Sequence, residues 1–253
     1  MGFAASVRVA IYTALTFIAT VLLVIETPAT GGYFNLGEAA IYAIAALAPP
    51  LITAVAAGLG PAIADVVLGF WYFAPATFVI KFCEGYVVST LIHRVREAGR
   101  APLWARVATI CIGIALAGVL SINAIGGGRE AMGIEVVWTP TSVMGVEIPI
   151  PTLSIYLPSA TWIAIGIAIA CLSISLAYAS RARPYLLPMA VGGMIMVMGY
   201  FIYEFFISNP LILHRDPWGA LAEIPVNVGQ FTAGILLAYP VVQFVERAKG
   251  VRG

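Results

Sequence analysis

The sequence predicts an all-α, polytopic membrane helix bundle, and three observations carry that reading. Of 253 residues, 61% are hydrophobic and only 10% are charged, against about 25% charge in an ordinary soluble domain. Mean hydropathy is +0.99. Apolar runs of about 20 residues, the length a hydrocarbon core of about 30 Å demands of a helix, recur along the whole chain.

In the first run, 7–25, the apolar stretch Val9 to Ile25 follows Arg8 and exceeds the h-region of a signal peptide, so the run is expected as a retained span. A Gly-Gly-aromatic loop follows at 31–36. The next run, 37–48, is short and ends at Pro49-Pro50, where a helix can hardly continue. It counts as a short span; the alternative is one helix bent across Pro49-Pro50, followed by a half-helix starting at Gly60-Pro61. Runs at 51–73, 74–93 and 103–125 come next. Residues 126–158 form a long outer segment, Gly-rich at 126–128 and carrying Pro140, Pro149, Pro151 and Pro158. Ile134–Trp138 and Val146–Ile150 can pair there as a small hairpin, expected as a connector without chemistry. Runs at 159–180, 185–207 and 218–245 complete about eight spans. Trp71, Tyr72, Trp138, Trp162 and Trp218 are expected as interfacial anchors.

Charge sets the orientation. Of thirteen basic residues, Arg8, Arg94, Arg96, Arg100, Arg106, Arg181, Arg183, Arg247, Lys249 and Arg252 fall on one side; Arg129 and Arg215 fall in outer loops and Lys81 lies within a span. The positive-inside rule then places both termini in the cytoplasm. The expected location is the cell membrane, as a multi-pass protein whose surroundings are lipid.

Composition also excludes chemistry. A net charge of +1 gives no footprint for nucleic acid. Cys83, Cys111 and Cys171 lie apart in apolar runs and read as small hydrophobes. The lysines are Lys81, before Phe82, and Lys249, before Gly250, so no P-loop exists. His93 and His214 sit at helix ends without metal-ligand spacing. No nucleophile–base pair is legible, so no catalytic residue, metal or cofactor is expected.

Polar residues at membrane depth are costly and usually face a partner or a cavity. Four clusters stand out. Asn35 and Glu38 have capping-box spacing behind the 31–36 loop. Thr77, Lys81 and Glu84 share one helical face, with Asp65 on the preceding span as a further partner for Lys81. Tyr200, Tyr203 and Glu204 set an aromatic pair beside a carboxylate. Glu223, Asn227 and Gln230 form one stripe in the last span. All four fall in the outer half of the membrane, which points to one polar pocket open to the exterior. On the first helix Ala10 and Ala14 make a small-residue face that lets another helix approach.

At these positions the sequence resembles the substrate-binding S component of an energy-coupling-factor vitamin transporter, of the riboflavin type or a relative. The matching pieces are GGYFNLGEAAIYAIAALAPP (31–50), GLGPAIADVVLG (58–69), YFAPATFVIKFCEG (72–85), GYFIYEFF (199–206) and EIPVNVGQ (223–230). The resemblance implies a membrane subunit that binds a vitamin or precursor under the first outer loop. It also implies that Ala10 and Ala14 dock a transmembrane T component, which works with two ATPase subunits. That family has a six-helix core. Core helices 1–4 would then occupy residues 1–102 and core helices 5–6 residues 181–253. An inserted helix pair with its outer segment would fill 103–180, all within one membrane domain.

The expected substrate site is therefore Asn35, Glu38, Lys81, Glu84, Tyr200, Tyr203, Glu204, Glu223, Asn227 and Gln230. Lys81 would meet an anionic or carbonyl group, the tyrosines a ring, and Asn227 with Gln230 its hydrogen-bonding edges. The alternative is a self-sufficient ion-coupled carrier in which Asp65, Lys81 and Glu84 relay a proton or cation.

Overall fold

A computed structural model describes residues 2–27, 31–125, 136–143, 146–153 and 159–250. Among them are eight α-helices: α1 Phe3–Leu22, α2 Gly37–Leu47, α3 Pro50–Leu68, α4 Ala74–Ala98, α5 Leu103–Ile125, α6 Ser159–Ala179, α7 Leu186–Tyr203 and α8 Glu223–Ala248. Seven helical stretches are long and apolar enough to cross a membrane, and α2 is the short one. Ala48 and Pro49 are both extended, with ψ of 153° and 155°, as the steric demand of a following proline requires. α2 and α3 are therefore separate helices rather than one bent rod. The half-helix expected at Gly60-Pro61 does not form; α3 runs unbroken through Pro61.

α1 lies on α3, and the contact is specific. The Thr16 hydroxyl donates to the Ala56 carbonyl at 2.8 Å, and Gly60 lets the two backbones meet. A Cβ at Gly60 would strike the Thr16 hydroxyl, the Thr13 carbonyl at 2.7 Å and the Phe17 amide at 2.8 Å. α3 packs in turn on α4, α2 lies between α8 and α4, and α7 bridges α4 and α8. Tyr42, Leu187, Met194, Met196 and Phe231 are fully buried at the centre. α5 and α6 pair with each other, and α5 reaches the bundle through α7. Trp162 joins that core instead of anchoring at an interface, because it sits on the protein-facing side of α6. Trp71 and Trp218 are exposed; the side chain of Trp138 lies outside the described ones.

One end of the bundle carries a small sheet that an all-α reading omits. Its strands are β1 Ile25–Thr27, β2 Gly32–Phe34, β3 Val136–Val143 and β4 Val146–Leu153, in the order β2-β1-β4-β3. The expected hairpin is present as β3–β4, in register from Val136↔Leu153 to Val143↔Val146; Ile134 and Glu135 lie outside the described residues. It is more than a connector. β4 pairs in parallel with β1 through Thr152 and Glu26, so residues far apart in sequence close one sheet.

The other end gathers basic residues. Arg96 binds both oxygens of Glu246 at 2.6 and 2.7 Å. Arg96 and Lys249 both donate to the Ala46 carbonyl, at 2.9 and 2.6 Å, which satisfies a carbonyl left unpaired at the end of α2. Tyr185 adds its hydroxyl to Glu246 at 3.2 Å. Four helices are thus tied together opposite the sheet.

A Gly60→Val substitution should lower the stability of the detergent-solubilised protein by about 1–3 kcal/mol, the usual cost of overpacking. Gly118→Ala, where an added Cβ meets nothing within 4 Å, should hold it or raise it by up to about 1 kcal/mol, the helix-propensity gain of Ala over Gly. Thermal unfolding of the two variants against the parent chain checks this.

Candidate functional site

The loop before α2 turns at Gly31, whose φ of 71° suits a residue without Cβ. Its carbonyl accepts the Tyr72 hydroxyl at 2.9 Å. Burial holds that hydroxyl's pKa up at about 12, so it remains a donor at neutral pH. Further along, Asn35 bonds in two directions. Its Oδ1 accepts the Gly37 amide at 2.8 Å, and its own amide donates to Gln230 Oε1 at 2.9 Å. The capping box expected from Asn35 and Glu38 is only half made: Leu36 holds the N-cap position without a side-chain cap. Glu38 does not reach back, because it is fully buried and pairs with Lys81. An ion pair outweighs one backbone hydrogen bond there.

Lys81 is the hub. It is 2% exposed, pairs with Glu38 of α2 and Glu84 of its own helix, the latter at 3.1 Å, and lies 2.7 Å from Met196 Sδ on α7. Glu84 accepts the Tyr42 hydroxyl at 3.0 Å, and Glu38 accepts from Gln230 Nε2 at 3.0 Å. The ammonium expected to meet an anionic or carbonyl group therefore already faces two carboxylates. Asp65, expected as another partner for Lys81, instead takes the Tyr33 hydroxyl at 2.5 Å. Burial, and then the Asp65 charge, raise that hydroxyl's pKa well above its usual range.

Asn35, Lys81, Tyr200, Glu204, Glu223, Asn227 and Gln230 line one cavity at the sheet end of the bundle. Glu38 and Glu84 lie beneath it as the partners of Lys81. Tyr203 stands to one side, its hydroxyl donating to the Tyr72 carbonyl and its ring 5.5 Å from that of Phe73. Tyr200 donates to Thr77 at 3.0 Å. Tyr33, Asp65, Phe73 and Thr77 also line the cavity, though sequence reasoning did not choose them as site residues. Thr77 already reads on the Lys81 face, and extending that stripe by four residues reaches Phe73. Asp65 reads in the sequence as a partner for Lys81, and its pairing with Tyr33 becomes legible only in the structure.

At Glu204 the α7 hydrogen bonding widens into a π-helix, Glu204–Ile212, with Pro210 inside it. Such segments are rare and concentrate at functional sites. Glu204 is 1% exposed, and its Oε2 is buried without a hydrogen-bond partner among the described residues. The free space of the cavity is about 30 Å³. That is room for a couple of waters, whereas ligand pockets usually measure several hundred Å³.

Comparison with known proteins fits this arrangement. A family profile described as "ECF-type riboflavin transporter, S component" matches residues 4–140, more than half of the chain. The chain belongs to this family. The match runs from α1 through α5 and into β3, and together with the seven apolar helices it makes the protein a multi-pass membrane protein. A Pyrococcus woesei protein, described as "Uncharacterized protein in gap 3'region", is 34% identical over 105 residues. Those residues are 42% of this family member and 64% of the relative, so the chain spans less than two thirds of that relative's length. No solved structure matches the chain.

Lys81→Met should destabilise the protein by about 3–5 kcal/mol, because it strands two buried carboxylates. Adding Glu38→Gln and Glu84→Gln to Lys81→Met should recover most of that loss. The thermal midpoints of the single and triple variants read out the coupling.

Proposed function

We propose that the protein is the capture subunit of a vitamin uptake system. It binds a small vitamin-like heterocycle from outside and depends on a separate T component and ATPase subunits for energy. The convergence of side chains from β2, α3, α4, α7 and α8 on one buried cavity, in a member of this family, carries the reading. The positive-inside rule assigns the Arg96–Glu246 end to the cytoplasm, so the cavity lies toward the exterior, under the loop that precedes α2.

In this reading the aromatic side chains of Phe73 and Tyr200, 6.3 Å apart, hold a ring. Asn227 reads a hydrogen-bonding edge. Lys81 fixes Glu38, Glu84 and, through Glu38, Gln230, rather than meeting the ligand itself. The small free volume means that binding must move the 31–36 loop, which Tyr72 and Gln230 hold by one hydrogen bond each. α1 supports the partner side of the proposal. It packs on α3 through buried Thr16 and leaves Ala10 and Ala14 exposed, a small-residue surface on which a second membrane helix can sit closely. Neither lysine belongs to a phosphate-binding loop, which fits a chain whose ATP-driven energy is supplied by another subunit.

Mass spectrometry of the purified protein should find a retained heterocycle, and Asn227→Ala should lower its occupancy at least tenfold. Uptake by proteoliposomes should require co-reconstituted T component, ATPase subunits and ATP. Uptake by the chain alone on a pH step would instead support an ion-coupled carrier relayed through Asp65, Lys81 and Glu84.

A further inference from the structure

We infer that the groove between the carboxyl end of α4 and the amino end of α5 binds the phosphate of an anionic phospholipid in the inner leaflet of the membrane.

Arg94, Glu97, Arg100, Pro102, Leu103 and Arg106 line this groove, whose volume is about 760 Å³. It lies at the end that the positive-inside rule assigns to the cytoplasm. A tight turn builds it. α4 closes at Gly99, which has a φ of 67° and donates its amide to the Val95 carbonyl at 2.8 Å, a usual helix stop. Ala101 and Ala105 are buried in the core, so α5 starts at once and the arginines of both helices stand around one opening.

Three arginines share that opening with one glutamate. Among the described residues, no carboxylate lies within 4.0 Å of the Arg94, Arg100 or Arg106 guanidinium, Glu97 included. Glu246, at the same end, is occupied by Arg96 and Tyr185, while Arg181, Arg183 and Arg247 add further positive charge there. The helix ends do not redress the balance. The half charges at the end of α4 and the start of α5 oppose each other, and the first turn of α5 has no acidic residue. Arg106 shows the need at one atom: it is half-buried, and its Nε is shielded from water with no acceptor among the described residues. Guanidinium groups grip phosphate through paired N–H donors, and basic pockets between helices on the cytoplasmic side suit anionic headgroups.

The apolar surroundings favour a lipid over free phosphate. Leu103, Val107 and Ile114 share one side of α5 and are exposed, so an apolar stripe leads away from the groove along the helix. Trp104 is exposed beside it, as suits an indole at headgroup level. Phosphate on the arginines and an acyl chain along the stripe describe one amphipathic ligand.

Native mass spectrometry of the purified full-length chain tests this, with phosphatidylglycerol, phosphatidylcholine and inorganic phosphate as probes. The parent chain should retain phosphatidylglycerol well above phosphatidylcholine, and excess inorganic phosphate should not displace it. Arg94→Gln, Arg100→Gln and Arg106→Gln together should lower that retention by about tenfold or more, as the loss of charge-assisted hydrogen bonds entails. Arg8→Gln, which removes a charge from the same side outside the groove, should leave it unchanged. The lipid preference of the parent chain is read without any variant and decides the case if the triple variant fails to fold. Equal retention of the two lipids, undiminished phosphatidylglycerol binding by the triple variant, or an equal loss in Arg8→Gln would overturn the inference. Displacement by inorganic phosphate would overturn it as well, by making the groove a site for a soluble anion.

Discussion

An ammonium group placed inside a membrane protein has to be neutralised there, and the way Lys81 is neutralised organises everything around it. Its two carboxylate partners come from α2 and from its own helix. Gln230 of α8 then ties Glu38 to the loop amide of Asn35, and Tyr42 closes on Glu84. No single pair here stabilises much by itself, because desolvation consumes most of the Coulombic gain. What the network supplies is placement. α2 is only 11 residues long, too short to be positioned by spanning a bilayer, and its two ends are fixed by polar contacts: Glu38 at one, the Ala46 carbonyl at the other.

The two ends of the bundle consequently differ in kind. At the basic end Glu246 receives Arg96 and Tyr185. At the sheet end Glu204 retains an oxygen to which, among the described residues, no group donates. That oxygen borders the cavity, so the fold's unpaired carboxyl faces the one place where side chains of five elements converge. The π-helical turn at Glu204 belongs to the same pattern, because irregular hydrogen bonding is kept where a side chain must be aimed.

Much of this was legible in the sequence, for identifiable reasons. Hydropathy located the spans because a bilayer imposes length, and Pro49-Pro50 marked the α2–α3 break because proline chemistry is local. The spacing of Tyr200 and Glu204, and of Glu223, Asn227 and Gln230, revealed stripes that do face one cavity, since helical periodicity is also local. Partner choice was less legible. Glu38 looked like a capping residue and pairs with Lys81, 43 positions on in the chain; Asp65 looked like a lysine partner and takes the Tyr33 hydroxyl. Both depend on how helices rotate against each other, which no single segment records. The β1–β4 pairing was hidden for the same reason.

That pairing bears on how the protein is assembled. β1 is three residues long and follows α1 directly, yet one of its neighbours in the sheet, β4, lies beyond the fifth helix. Main-chain groups on that edge have no strand to meet until more than half the polypeptide has been made. A nascent chain therefore carries an incomplete cover through the insertion of four helices, and the roof is finished only when the second half arrives to bind it.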